Sequence, residues 1–197
     1  PSMKKRIAVI DSERGSAALY AKGRPWHFSH LRLERFEPET YVKAIKAAED
    51  QGFEVIVIDS LSHEWAGTGG ALEQVDKSAK GGNTFVAWGG VTKRHNAVID
   101  AIMGSSVHVI ATMRSKMAYE QSEKNGKKTV EKLGLAVVQR DGIEYEFSIV
   151  GDMDLNNTMT INKTRASVLQ GRSYMQPGRE LAGEIRAWLF DNDDAPG

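Results

Sequence analysis

Val55-Ile56-Val57-Ile58-Asp59-Ser60 sets a carboxylate and a hydroxyl directly after four β-branched residues. Such a run suits a strand covered on both faces, as in a parallel sheet flanked by helices. An acid at the carboxyl end of that strand lies where open α/β sheets bind ligands. There Asp59 can hold Mg²⁺, with Ser60 beside it as a nucleotide-binding candidate. The ordinary alternative is a strand-end cap. Ile7-Ala8-Val9-Ile10-Asp11 repeats the pattern and leads to Ser12-Glu13. Glu13 offers a second carboxylate, the kind of group that orients an attacking water in hydrolysis. Val107-His108-Val109-Ile110-Ala111 is a third apolar strand and ends at the hydroxyl of Thr112. Parallel strands would align Glu13, Asp59 and Thr112 along one edge.

Cations form two further groups. Lys163 and Arg165 stand at i and i+2, on one side of an extended strand end. A pair of this kind clamps phosphate oxygens, Arg as a fork and Lys as a point charge, unless it is simply a solvated terminus. Arg114, Lys116, Lys124, Lys127, Lys128 and Lys132 face only Glu120, Glu123 and Glu131 in their stretch, with Tyr119 available for stacking. A loop binding single-stranded nucleic acid has this composition, and so does a disordered surface loop. Other chemistries lack their residues. The five histidines include no pair at zinc spacing on one helix face, and no G-x-S-x-G nucleophile elbow occurs. His63 is near enough in sequence to reach the Asp59 edge, although capping or packing accounts for it as well. Gly67-Thr68-Gly69-Gly70 has no lysine, and no G-x-x-x-x-G-K-[ST] phosphate loop exists in the 197 residues.

The elements that must position these groups alternate. Leu31 to Phe36 has the period of a half-exposed strand, after an irregular stretch from Pro25 to His30. An amphipathic helix from Tyr41 to Gln51 presents Tyr41, Ala44, Ile45 and Ala48 on one face, and Gly52 ends it. A glycine-punctuated region follows, with a short helix at about Ala71 to Ala79 and a longer one from Thr92 to Met103. Ser115 to Lys132 reads as a polar, mobile loop. Leu135–Gln139 and Ile143–Val150 read as strands or as a strand and a short turn, and Thr158–Lys163 reads as an alternating strand. A last helix runs from Pro177 to Phe190, ahead of a frayed acidic tail over residues 191–197. This βα rhythm predicts an α/β fold with a mainly parallel sheet.

Length predicts a single domain over 1–197, with Pro1-Ser2 ahead of Met3 as a cloning remnant. Lys plus Arg and Asp plus Glu are both 26, so overall charge favours neither nucleic acid nor membrane; only local patches carry such evidence. Cysteine is absent, which excludes disulfides and thiolate metal sites and fits a cytoplasmic protein. No apolar stretch approaches the ~20 residues that span a bilayer, so no membrane partner is expected.

Ile7–Tyr20 (IAVIDSERGSAALY), Val55–Trp65 (VIVIDSLSHEW), His108–Lys116 (HVIATMRSK) and Gln139–Asp154 (QRDGIEYEFSIVGDMD) together resemble bacteriophage and prophage RecA-like AAA ATPases, a group related to single-strand annealing and recombination ATPases. The resemblance runs from about Lys5 to Arg165. It implies a RecA-like P-loop NTPase core using ATP and Mg²⁺ in the cytoplasm of a bacterial host cell. Glu13 then matches the water-orienting acid, Asp59 the Walker B aspartate, and Thr112 the polar sensor, where RecA-type proteins carry glutamine. Lys163 and Arg165 match the pair presented to a neighbouring subunit's γ-phosphate in rings or filaments. Trp65–Trp88 and Met113–Lys132 take the places of two loops that face single-stranded DNA. The strand, phosphate loop and helix that precede the segment equivalent to Ile7 are missing from this sequence. The implied function is DNA recombination, replication or repair, with these residues inactive alone and an exposed sheet edge favouring self-association. A non-catalytic nucleic-acid or protein interaction module is the rival, and a small-molecule enzyme on a doubly wound sheet is the least supported.

Overall fold

A computed structural model describes residues 6–21, 26–79, 82–124 and 127–191, and for 117–135 the backbone alone. The chain forms two compact units, one ending at Arg140 and one beginning at Asp141.

The N-terminal unit is built on four parallel strands in the order β2-β1-β3-β4: β1 (Ile7–Asp11), β2 (Ser29–Arg32), β3 (Val55–Asp59) and β4 (His108–Ala111). Helices flank the sheet, so the expected α/β class is what the chain forms. The central strands are the apolar runs, with Ile10, Ile56 and Ile58 fully enclosed. After β1 the chain crosses to β2 on one side, and β3 and β4 then extend the sheet on the other. The direction of winding reverses between β1 and β3, and crevices at such switch points are where doubly wound sheets take ligands. Asp11 and Asp59 are register partners at that point.

Short α1 (Ala17–Ala21) leads from β1 toward β2, and α2 (Pro38–Asp50) from β2 toward β3. Pro38 lies in the first turn of α2, where its missing N–H costs nothing. The buried face of α2 carries Tyr41, Ala44, Ile45 and Ala48, as the periodicity predicts. Between β3 and β4 lie α3 (Ser62–Ala66), α4 (Ala71–Ser78) and α5 (Thr84–Met103). The longest helix begins eight residues before the predicted Thr92. Gly89 and Gly90 argue against a helix there by propensity. Two forces outweigh them: Asn83 caps the helix by accepting the Val86 N–H at 3.2 Å, and Ala87 and Val91 pack on Ala71 and Val75 of α4.

Two other expectations change. The edge strand is Ser29–Arg32, within and beyond the stretch read as irregular, because its register on β1 sets it; all four side chains are exposed, so alternation carried no information. The polar segment read as a mobile loop pairs as an antiparallel ribbon, β5 (Ser115–Lys124) with β6 (Lys127–Val137). Main-chain pairing makes such a ribbon without an apolar face.

The C-terminal unit has an antiparallel sheet of β7 (Ile149–Met153), β8 (Thr158–Thr164) and β9 (Ser173–Met175), with α6 (Arg179–Asp191). Of the two readings of Ile143–Val150, the one with a short turn forms: Ile143–Tyr145 is a 3-10 turn ahead of β7. Ile161, Ala166, Leu169, Tyr174 and Leu181 form its core, with Ile185 and Trp188 packed against them. Residues 192–197 of the predicted tail lie outside the described residues.

Candidate active site at the sheet's carboxyl edge

Asp11 ends β1 fully buried, and its carboxylate shapes everything after it. Oδ1 accepts the N–H groups of Glu13 at 2.8 Å and Gly15 at 3.3 Å; Oδ2 accepts that of Ala17 at 2.9 Å. The tight turn is closed by left-handed backbone at Arg14 and Gly15, with φ of 56° and 88°. Asp11 thus serves as the cap of α1 and holds Glu13 at the edge.

Ser12 sews β1 to β3. Its N–H continues the ladder to the Asp59 carbonyl at 2.8 Å, and its hydroxyl oxygen accepts the Ser60 N–H at 2.7 Å. Ser12 Oγ is also 2.9 Å from the Ser60 carbonyl and 2.9 Å from His63 Nδ1. With the hydroxyl proton given to the carbonyl, the imidazole is the donor in the second contact. The buried Tyr41 hydroxyl donates to the same Ser60 carbonyl at 3.3 Å, and burial raises its ionisation well above the usual phenol range. The Asp59–Ser60 peptide bond is cis.

The three residues predicted to share an edge do so. Thr112 Oγ1 donates to Asp59 Oδ1 at 2.7 Å, and the Ser60 hydroxyl donates to Glu13 Oε1 at 3.0 Å. Arg114, one of the residues read as nucleic-acid-binding, points into this cluster. Its Nε donates to Glu13 Oε1 at 3.0 Å and its Nη2 to Oε2, a bidentate fork. Partial burial opposes ionisation of Glu13, but the hydrogen bonds from Arg114 and Ser60, with the charges of His63 and Arg114, outweigh it. Its carboxyl is held below the ordinary range. His63 Nδ1 lies 3.6 Å from Glu13 Oε1. Desolvation lowers the His63 pKa; the Glu13 charge opposes this and Arg114 reinforces it.

Asp59 is half-buried, its Oδ1 is oriented by Thr112, and among the described residues its Oδ2 carries no hydrogen bond. Among those residues no three His, Asp or Glu side chains converge as a protein-only cage. Asp59 is the carboxylate that could hold a cation of the Mg²⁺ kind, which takes one or two carboxylates and completes its shell with phosphate and water. The backbone of Gly67-Thr68-Gly69-Gly70 is engaged within its own turn: the Gly70 N–H donates to the Gly67 carbonyl at 2.9 Å and the Gly69 N–H to Glu73.

A family model described as an AAA domain matches residues 2–178. The chain belongs to the AAA domain family. No curated protein and no solved structure matches it. Membership in this AAA domain family puts the chain in the class of P-loop-type ATPases, whose members in general use ATP and a metal.

The remaining sequence candidates of this AAA domain chain fall elsewhere. Lys116 is exposed at the base of β5, opposite Ala136. The side chains of Lys124, Lys127 and Lys128 lie outside the described residues. Lys163 and Arg165 belong to the C-terminal unit. The Lys163 ammonium donates to the carbonyls of Glu144, Tyr145 and Phe147 at 3.2, 2.5 and 2.6 Å, closing the turn before β7, while Arg165 is exposed. Reading from sequence passed over Asp11 and Ser12, although an acid and a serine ending a buried strand were the same signal that singled out Asp59 and Ser60. It did not foresee the fork of Arg114 onto Glu13, because charge counting has no direction.

No helix among the described residues is long and apolar enough to cross a membrane.

Proposed function

We propose that this chain is the metal-facing and water-activating part of a phage-type, RecA-like ATPase that works on single-stranded DNA in recombination, replication or repair. The observation that carries the reading is the edge cluster: Glu13, Asp59 and Thr112 come from three adjacent strands, at the switch point where such sheets take ligands. Asp59 would hold Mg²⁺, Thr112 would fix the carboxylate that does so, and Glu13 would accept a proton from water. Bound Mg²⁺–ATP supplies the phosphoryl group and the positive charge that eases its transfer. Ser60 is assigned to the same nucleotide. Arg165 is assigned to a phosphate contact made between copies in a ring or filament, which Lys163 joins only by giving up the carbonyls of the turn before β7, and the β5–β6 ribbon to single-stranded DNA. The setting is the cytoplasm of a bacterial host.

These 197 residues by themselves hold no phosphate loop and are expected to turn over no ATP. Turnover that disappears in Asp59→Ala would overturn that part. The nucleic-acid part is read by titrating a labelled oligothymidylate at increasing salt. Binding should weaken with salt, and replacing both Lys127 and Lys128 with alanine should flatten the log–log slope by roughly 0.7 for each phosphate no longer neutralised. An oligonucleotide that does not bind even at low salt removes the DNA assignment and leaves a protein interaction module on this fold.

A further inference from the structure

Two guanidiniums beside the β1 turn stand apart from the rest of their kind. In the N-terminal unit every other described arginine has a partner. Arg35, Arg94 and Arg114 pair with Glu37, Glu39 and Glu13, Arg6 donates to the Gln51 carbonyl, and Arg140 donates to Asn96. The side chains of Arg14 and Arg32 make no hydrogen bond or ion pair among the described residues. They also share a place. Arg32 is the register partner of Asp11 and ends the edge strand β2. Its side chain lies over the turn: a Cβ at Gly15 would be 3.6 Å from Arg32 Cδ and 3.8 Å from its Nη1. Arg14 is the residue before that glycine, and it is exposed. The acids of the turn are already engaged, Asp11 by three backbone N–H groups and Glu13 by Arg114 and Ser60. Two like charges left open at one turn favour an anion there.

An aromatic pair lies next along the chain. Tyr20 of α1 and Trp26 stack, with ring centroids 6.4 Å apart and planes at 30°, yet they are 56% and 50% exposed. Helix α1 has only five residues, so Tyr20 lies ~5 Å along its axis from Ala17, the residue that closes the Asp11 turn. All four side chains of β2 are exposed as well, so nothing packed on the edge strand shields this surface.

We propose that α1, Trp26 and β2 form a surface for single-stranded nucleic acid, with Arg14 and Arg32 on backbone phosphates and the Tyr20–Trp26 pair against a base. Guanidinium forks match phosphate oxygens, and every base offers a π face to an exposed aromatic ring. An acidic peptide has a use for the arginines and none for the rings. The surface is built from side chains apart from the β5–β6 ribbon and takes no part in ATP turnover, so it stands or falls without either.

The test binds an oligothymidylate carrying iodouracil to the whole chain at low salt, irradiates it and maps the crosslinked peptides. Crosslinks are expected at Tyr20 or Trp26. Crosslinks confined to β5 and β6 overturn this surface and leave the ribbon assignment standing, and an oligonucleotide that does not bind overturns both. Anisotropy titrations then separate phosphate from base. Arg14→Asn with Arg32→Gln should flatten the log–log salt slope by roughly 0.7 for each phosphate released; asparagine suits the left-handed backbone at position 14. Trp26→Leu should weaken binding about tenfold at fixed salt and leave the slope alone. Affinity and slope unchanged in both variants overturn the surface. An abasic chain of the same length that binds as tightly as the oligothymidylate, or polyglutamate that displaces it at equal charge, overturns the assignment to nucleic acid. Each variant alters exposed side chains, and the crosslink map comes from the unaltered chain.

Discussion

Glu13 and His63 sit 3.6 Å apart and respond to the same surroundings in opposite senses of charge. Both are shifted below their ordinary values, 4.5 for the carboxyl and 6.5 for the imidazole. For each group the unfolded chain therefore binds its proton more readily than the folded one. Each contributes stability that is complete above its ordinary value and is lost as pH falls through the depressed one. Stability to urea should accordingly begin to fall below pH 6.5 as His63 is forced to charge, and fall further below pH 4.5 as Glu13 is protonated. His63→Gln should remove the first decline and leave the second, and Glu13→Gln should do the reverse. Urea midpoints measured from pH 8 to pH 3 for the three proteins check this. A decline below pH 6.5 that survives in His63→Gln would assign it to another group. At this scale the sequence was half legible. A carboxylate or hydroxyl after an apolar strand is visible in the string, which is how Asp59, Glu13 and Thr112 were found. The direction of a long side chain is not, because it depends on where a distant loop begins; Arg114 and Glu13 are 101 positions apart.

At the scale of elements, the buried polar group that joins α3, α5 and the end of β6 is Glu64 with His95 and Gln139. His95 Nδ1 lies 3.0 Å from Glu64 Oε2, and both side chains are all but inaccessible, at 2% and 0% exposure. The Trp65 ring meets the imidazole edge-on at 5.2 Å. Removing one member leaves the others buried without their partner, the situation in which polar deletions cost most. Glu64→Leu alone should destabilise by about 3 kcal/mol, and His95→Leu by a similar amount, whereas the double change should recover much of the sum because an apolar pair needs no partner. A double-mutant cycle in urea measures the coupling; strictly additive losses would mean that the two side chains do not act as a pair. Elements themselves were read well where burial imposes a pattern. β1, β3 and the inner face of α2 are apolar because they are enclosed. β5 and β6 left no such trace, since a ribbon held by its main chain needs no apolar period, and the start of α5 was hidden by glycines that packing on α4 overrides.

Across the whole molecule, equal numbers of acidic and basic residues leave no net field to keep copies apart. The sheet of the N-terminal unit ends in β2 on one side and β4 on the other. The two edges differ in what they show. β2 presents Ser29, His30 and Arg32 around one apolar residue, and a charge on an edge is a standard defence against unwanted pairing. β4 reads His108-Val109-Ile110-Ala111, with no acid, lysine or arginine, and Ile110 is 56% exposed. A short, uncharged, apolar edge is a surface on which a second strand gains both main-chain hydrogen bonds and cover for the isoleucine. Self-association is thus expected through β4 rather than β2. Light scattering at micromolar concentration should give a mass above the 21.7 kDa of one chain. Ile110→Lys, which puts a charge on the edge without touching the buried core, should return the mass to that of a single chain, while Leu31→Lys on β2 should leave it unchanged. A single-chain mass for the unaltered protein defeats the expectation. A mass that falls with Leu31→Lys and not with Ile110→Lys would move the contact to the other edge, next to the turn that Asp11 holds rather than beside Thr112.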